Sequence, residues 1–477
     1  MAQLKEPLPA KMGLSRSHMV EEATHGSYNI GSPASVSEIV PGVHSSVCHA
    51  GGVEARPSGA EWKKKRKCRW EIQPLVMTLV LMTWSCGESQ AERFEAAKAF
   101  CVVCRPKQKR PGDTVAGFQK ALARLPMPVL RAIVAGVRGR IAALLPMLID
   151  GWIPMGCDGS GLRCPRTEEL EKRLGGGNRP GSPPSLWLTA IVHLRSGVPW
   201  CWRWGKGTAS ERQHLQEMLG LLPKAALLVA DAGYIGYEVA RALISRQVSF
   251  LIRQCSLVTL YSERQTRLEK FQDGVVLYWP QEAQKKGLPP LRVRLLCVRR
   301  RKPGQTKSQD VWLMTNVMDS RRLSVSQAGQ FYRWRWENEG FFRTYKRTLK
   351  KMKLESRTVR LVHREAEGSM LALQLLLAQG ALAMPRRGAD KAVPQASPRK
   401  VLVEIRKEIN SAIANRRQKS FAKRMKESQR EQRERRTPKE RRPWPSRAPH
   451  EPPKPPEILK LTAEQNAILD ELEPLPA

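Results

Sequence analysis

Absences narrow the field before any motif is read. No segment reaches the roughly 18 consecutive apolar residues that can span a bilayer. The closest approach, Ile72–Trp84 (IQPLVMTLVLMTW), follows the basic run 63–69 in the manner of a signal anchor. It is short and internal, and is expected to be a buried helix. No secretory signal opens the chain, so the expected compartment is the cytoplasm. Ten cysteines are scattered without a framework spacing. Cys101 and Cys104 make one CxxC, but a zinc site needs four ligands and no second pair stands nearby, so reduced thiols are expected. His193, His214 and His363 show neither HExxH nor any paired spacing. Acid is also in short supply: 44 Asp+Glu face 82 Lys+Arg over 477 residues, a net charge of +38. Such an excess calls for a polyanionic partner, and nucleic acid fits better than a membrane. The length allows two to four domains with a sizeable core.

What is present changes character along the chain. Residues 1–60 are rich in Gly, Ser, Pro and Ala and read as a mobile leader. Residues 61–149 carry helical spacing, with Phe118, Leu122 and Leu125, then Leu130, Ile133, Val134 and Val137. Arg131, Arg138 and Arg140 punctuate these helices, which suit a DNA-binding module or a plain helical support. In the middle, 186–194 (LWLTAIVHL), a Ser196-Gly197 turn and the alternating Trp200, Trp202 and Trp204 predict an antiparallel hairpin. A helix capped by Ser210 follows. Residues 225–230 (AALLVA) then predict a strand buried on both faces, ending in Asp231. A helix over 237–245 and the strand VSFLIR complete the unit. Residues 255–323 are β-rich (LVTLY, GVVLYW, LRVRLLCVRR, DVWLMTN) and suggest a small inserted sheet. Ser324 and Gln327 form a capping box for a long helix, and a second apolar helix covers 370–384. From 385 to 477 Arg, Lys, Glu and Pro dominate. Leu402, Ile405, Ile409 and Ile413 suit one amphipathic helix. The rest, including RMKESQREQRERRTPKERRPWP, reads as a basic, largely disordered tail that adds non-specific DNA affinity.

The long helix carries an unusual set. Tyr332, Arg335, Glu339 and Lys346 are spaced by three, four and seven residues. On a continuous helix turning ~100° per residue they fall within an arc of roughly 60°. One face then bears an acid, two cations and a phenol, which suits a phosphodiester better than a core. Two further acids stand at meaningful places: Asp158, after the apolar GWIPMGC and before Gly159-Ser160, and Asp231. Each acid alone has a plain reading. Asp158 suits a turn, Asp231 caps the next turn, and Glu339 pairs with Arg335 or Arg343 on its own helix. Brought together, three carboxylates would repel one another, and hard divalent cations relieve that repulsion. Two such ions would activate an attacking oxygen and stabilise a leaving one.

CDGSGLRCPRTEE, then VADAGYIGYEVARAL, then Y-x2-R-x3-E-x6-K together resemble the DDE transposases of bacterial insertion sequences, specifically the YREK-signature group, insertion-sequence family four. The resemblance runs over about 150–379. It implies an α/β, RNase H-like catalytic domain over 150–384, interrupted by the β-rich insertion (255–323). This domain lies between the N-terminal helical, DNA-binding domain (61–149) and the basic tail. The resemblance also implies Asp158, Asp231 and Glu339 as catalytic ligands of two Mg2+ (or Mn2+) ions. Tyr332, Arg335 and Lys346 would contact DNA phosphates, and Trp312 would be a stacking platform for a flipped base. Arg343 and Lys350, near the same arc, would extend the phosphate track. The implied activity is cleavage at transposon ends and strand transfer into target DNA. It would be carried out by a homodimer on terminal inverted repeats, associated with the nucleoid in a bacterial cytoplasm. The alternatives are an RNase H-like nuclease or a domesticated, non-mobile DNA-binding derivative.

Overall fold

The computed structural model describes residues 69–106, 109–176, 181–254, 258–262, 273–300, 309–384, 395–416, 420–430 and 456–471. The expected leader and the tail sequence between Arg430 and Pro456 lie outside them. Four helices come first: α1 (Ile72–Trp84), α2 (Gln90–Cys104), α3 (Val115–Arg124) and α4 (Met127–Leu144). Caps in the sequence set the starts of α2 and α3, since the Ser89 and Thr114 side chains accept the Glu92 and Gly117 amides. Most of α1 is buried, as its apolar run predicts.

Next come β1 (Ile153–Arg163), α5 (Glu168–Leu174), β2 (Ser185–His193), β3 (Pro199–Lys206), α6 (Glu211–Met218), β4 (Ala226–Ala230), α7 (Tyr237–Ser245) and β5 (Ser249–Arg253). Then follow β6 (Leu260–Ser262), β7 (Asp273–Tyr278), α8 (Gln281–Lys285), β8 (Leu291–Arg300) and β9 (Gln309–Thr315). The expected hairpin is present as β2–β3, and Ser210 caps α6 through the Gln213 amide. The β-rich segment does not make a sheet of its own. β9 pairs antiparallel with β5, so the described strands, with β10 (Ile458–Leu459) from the tail, form one mixed sheet ordered β10-β6-β7-β8-β9-β5-β4-β1-β2-β3. The outer edge of β5 would otherwise leave backbone groups unpaired, and β9 satisfies them. Among the described strands, the β1–β4, β4–β5 and β10–β6 pairs are parallel and the others antiparallel.

The last stretch holds α9 (Val325–Trp334), α10 (Glu337–Arg343), a π-helical turn at Thr344–Thr348, and α11 (Val359–Ala383). In the tail, α12 (Pro398–Ile413), α13 (Phe421–Lys426), β10 (Ile458–Leu459) and α14 (Ala463–Glu471) are folded elements, so disorder does not extend to these parts. Leu402, Ile405 and Ile409 bury the expected face of α12. By length and composition α11 is apolar enough to cross a membrane, although polar residues interrupt its apolar run, and 72% of its apolar window is buried in the protein. Its apolar register begins at Val362, earlier than the expected start at 370.

Three apolar clusters fix the sheet between layers. One joins α1–α4, α11 and α12 to Leu162, Leu186, Leu188 and Ala190. A second packs α6 and α7 on Met155, Cys157, Leu228, Ala230 and Ile252. A third packs α9, through Ala328 and Phe331, on Leu227, Val229, Leu251 and Leu313. Side chains alternate faces along a strand. The first and third clusters therefore share one face of the sheet, and the second covers the other.

Candidate active site

Parallel pairing aligns Gly156 with Val229 on β1 and β4. Continuing that register by two residues brings Asp158 beside Asp231, on the face shared by the first and third clusters. Asp158 does not sit in a turn. It lies inside an eleven-residue strand, opposite Ala190 of β2. Glycine at 159 lets Glu211 of α6 approach the strand closely, since a side chain there would run into the Glu211 carboxyl. One Asp158 oxygen accepts the Gly159 amide at 2.9 Å. Burial pushes the Asp158 carboxyl above the usual range, with Glu211 and Asp231 adding to the rise and the Gly159 amide and Arg335 opposing it. Asp231 also caps the next turn, its Oδ1 accepting the Ala232 amide at 2.8 Å.

The helix over this pair is not continuous. The amides of Arg335, Trp336, Asn338 and Glu339 bond to the carbonyls three residues back, a tight turn that separates α9 from α10. The π-helical turn then loosens the end of α10. The single 60° arc therefore does not exist as drawn from a regular helix. Such irregular turns concentrate at functional sites, and here they deliver side chains to two strands. The Tyr332 hydroxyl donates to Asp231 Oδ1 at 3.4 Å, and Arg335 reaches Asp231 Oδ2 at 3.5 Å. The Arg335 guanidinium lies over the rings of Tyr332 (5.5 Å) and Trp336 (4.7 Å). Its Nε is buried without a hydrogen-bond partner. Trp336 is 52% exposed, so its ring flanks the guanidinium from the solvent side. Lys346, on the π turn, donates to Ser160 Oγ at 2.6 Å, two residues beyond Asp158 on β1. Burial lowers the Lys346 ammonium, with Arg163 contributing. Burial likewise raises the Tyr332 phenol.

The remaining expected residues stand apart from this group. Glu339 is exposed on α10, next to Asn338, whose amide is buried against Gly156 with both polar atoms unpaired. Arg343 is exposed at the end of α10, and Lys350 is exposed at φ 56° just after the π turn. Trp312 is half-buried within β9, opposite Cys297, and its carbonyl accepts the Gln254 amide at 2.8 Å. Its ring packs with the second cluster, on the face of the sheet away from Asp158 and Asp231. Among the described residues no group of three His, Cys, Asp or Glu is placed to hold a metal ion.

Three neighbours escaped the sequence reading. Arg253, the last residue of β5, stands 4.0 Å from Asp231, and its place at the end of a buried strand was the available signal. Ser160 accepts the Lys346 ammonium from within β1, and its place between two glycines gives no local signal of that role. Glu211 receives hydrogen bonds from Trp187 Nε1 (3.2 Å) and the Tyr234 hydroxyl (2.7 Å); nothing in its local sequence marks it beyond its place after the Ser210 cap. Cys101 is a free thiol bonded to Thr78, and burial pushes it up to about 11.

The donor set fits a divalent cation in part. Two hard carboxylates share one face, and the buried Asp158 gains from any nearby positive charge. Glu339 does not complete a third position. Arg335, with its unpaired Nε, and Lys346 suit phosphate oxygens.

Residues 157–375 match the family model described as the transposase DDE domain. This match supports a DDE transposase. No curated protein matches the chain. A solved structure, the cryo-EM structure of a piggyBac transposase synaptic complex with hairpin DNA, is similar at a TM-score of 0.38 and 10% identity. The alignment covers 79% of this chain and 78% of that one. A likeness this slight carries no argument.

Proposed function

We propose that the chain is a DNA transposase that cleaves phosphodiesters at the ends of a mobile element and joins the freed 3′ ends to target DNA. The observation that carries this reading is the parallel register of β1 and β4, whose continuation sets Asp158 and Asp231 on one face, under cations delivered by an irregular helix. In this reading 150–384 is an RNase H-like catalytic domain of the YREK group, 61–149 binds DNA, and the basic tail adds non-specific affinity. Asp158 and Asp231 would hold Mg2+ or Mn2+, and with Glu339 they would hold two ions. A cation bound there supplies activation of the attacking oxygen and stabilisation of the leaving one. Arg335 and Tyr332 orient Asp231 and grip a phosphate beside it. Lys346, fixed by Ser160, adds a positive charge one step along β1. The chemistry is positioning and charge stabilisation. Terminal inverted repeats and target DNA would be the partners, a homodimer the working form, and a bacterial cytoplasm the compartment. Arg343 and Lys350, both exposed at the end of the irregular helix, would extend the contacts to DNA phosphates, whereas the Trp312 ring packs on the far face of the sheet.

Replacing Asp231 by Ala should reduce Mg2+-dependent cleavage of element-end DNA by more than about 10³-fold while DNA binding persists. Undiminished cleavage by that variant would refute the assignment. The exposed position of Glu339 favours a second reading, a derivative that binds DNA without completing the reaction. Strand joining assayed with pre-cleaved ends separates the two, because only the transposase joins them.

A further inference from the structure

Between β2 and β3 the chain turns through Arg195, which holds a left-handed φ of 77° that a non-glycine side chain rarely adopts. Strain of this kind persists where surrounding contacts over-determine it, and the contacts here converge on Glu337, the first residue of α10. The Arg195 amide donates to Glu337 Oε2 at 2.5 Å and its guanidinium to Oε1 at 2.8 Å. The same guanidinium lies 5.0 Å from the Trp334 ring, at the last residue of α9. One side chain therefore grips both sides of the break at Arg335–Trp336. A third element joins from the tail: Gln395 Nε2 donates to Glu337 Oε1 at 3.2 Å and to the Arg195 carbonyl at 3.0 Å. Both charged side chains are about four-fifths buried, with 22% and 21% exposure. A partly buried, charge-assisted pair holds its geometry better than a surface ion pair.

The break needs such a hold. Tight i→i−3 bonding across Arg335–Trp336 leaves no regular helical ladder to fix the direction of α10 relative to α9. The Asn338 side chain is pressed on Gly156 with neither polar atom hydrogen-bonded, so it locates α10 by contact alone. Glu337 is two residues before Glu339 and two after Arg335.

We propose that Arg195 and Glu337 form a positioning clamp, closed by Gln395, that sets the direction of α10 across the helix break and with it the direction in which the exposed Glu339 is carried. The consequence for catalysis rests on the function proposed above; the consequence for α10 does not. Neither residue touches the reacting groups. The clamp acts through α10.

The test uses the full chain with Glu337→Gln, Arg195→Ala and the double variant. Amide hydrogen exchange followed by mass spectrometry should show peptides covering 337–343 exchanging at least about tenfold faster in each single variant. Peptides from α11 should be unchanged, and the double variant should be no faster than either single one. Unchanged exchange over 337–343, or equal acceleration throughout the protein, overturns the clamp whether or not the chain cuts DNA. In the cleavage assay, the Mg2+ concentration for half-maximal rate should rise about fivefold in Glu337→Gln, with a smaller change in the maximal rate. A half-saturation at or below that of the wild type overturns the positioning role. Absence of Mg2+-dependent cleavage in the wild type refutes the function proposed above, and the exchange result still decides the clamp.

Discussion

Two neighbouring helical segments lie on the same face of the sheet and differ in almost every respect. α11 is an unbroken helix of 25 residues whose Val362, Ala366, Met370, Leu373 and Leu377 repeat at helical spacing into the core. The α9–α10 segment is interrupted at Arg335–Trp336 and loosened again at Thr344–Thr348. α11 satisfies its backbone internally and contributes apolar burial. The broken segment departs from regular bonding, and its irregular turns take Tyr332 and Arg335 to β4 and Lys346 to β1. Regularity marks the part that holds the protein together, and irregularity the part that holds the charges.

Mutation and pH can break that contrast. Leu373 is fully buried, so Leu373→Ala should lower unfolding stability by about 4 kcal/mol through lost contacts and a cavity. Denaturant titration measures this, and any cleavage rate per folded molecule should stay near that of the wild type. A lost rate with intact stability would mean that α11 serves the site directly.

The second effect is set by pH. Burial lowers His193 to about 4 in the folded chain, where it bonds to the Met147 carbonyl and Ser196. Unfolded, it titrates near its ordinary value of about 6.5. The unfolded state therefore takes up the proton first as pH falls. Its contribution is complete above about pH 6.5 and is lost progressively down to about pH 4, amounting to about 3 kcal/mol. Stability curves at several pH values should show this fall in the wild type and a shallower one in His193→Asn. Because His193 stands two residues before Arg195, the fall should extend to the hairpin turn that grips α10.

The smallest expected change is the most local. Arg335→Lys removes the planar group stacked between Tyr332 and Trp336 while keeping the charge. Cleavage should fall roughly 30-fold, about 2 kcal/mol, with little change in stability. A matching loss of stability would place Arg335 with the structural residues of α11 instead.

Much of this contrast was legible in the sequence, and its limits have physical causes. The β2–β3 hairpin, the Ser210 cap and the buried strand ending in Asp231 follow from alternation, capping chemistry and apolar runs. The strand around Asp158 was hidden because Gly159, Ser160 and Gly161 look like turn residues. Glu211 and Trp187 occupy the space where side chains at the two glycines would stand, and both come from distant elements. The break at Arg335 was hidden because the residue spacing continues smoothly across it. The contacts that meet at the break, with Asp231 and in the Arg195–Glu337 pair, join residues far apart in the chain, which no local pattern encodes. The β-rich segment looked separable because its strands are local. Its junction with β5 depends on a pairing between distant residues.

The parallel register of β1 and β4 also sets when the site can come into being. Neighbouring strands stand about 4.8 Å apart, so the pairing acts as a caliper on the two carboxylates that no single side-chain change can reset. Parallel pairing between distant segments is slow to form. A growing chain possesses neither the spacing nor the cations above it until Arg335 and Lys346 have been synthesised and the helix break has closed over the sheet. The chemistry is therefore withheld by topology until most of the protein exists.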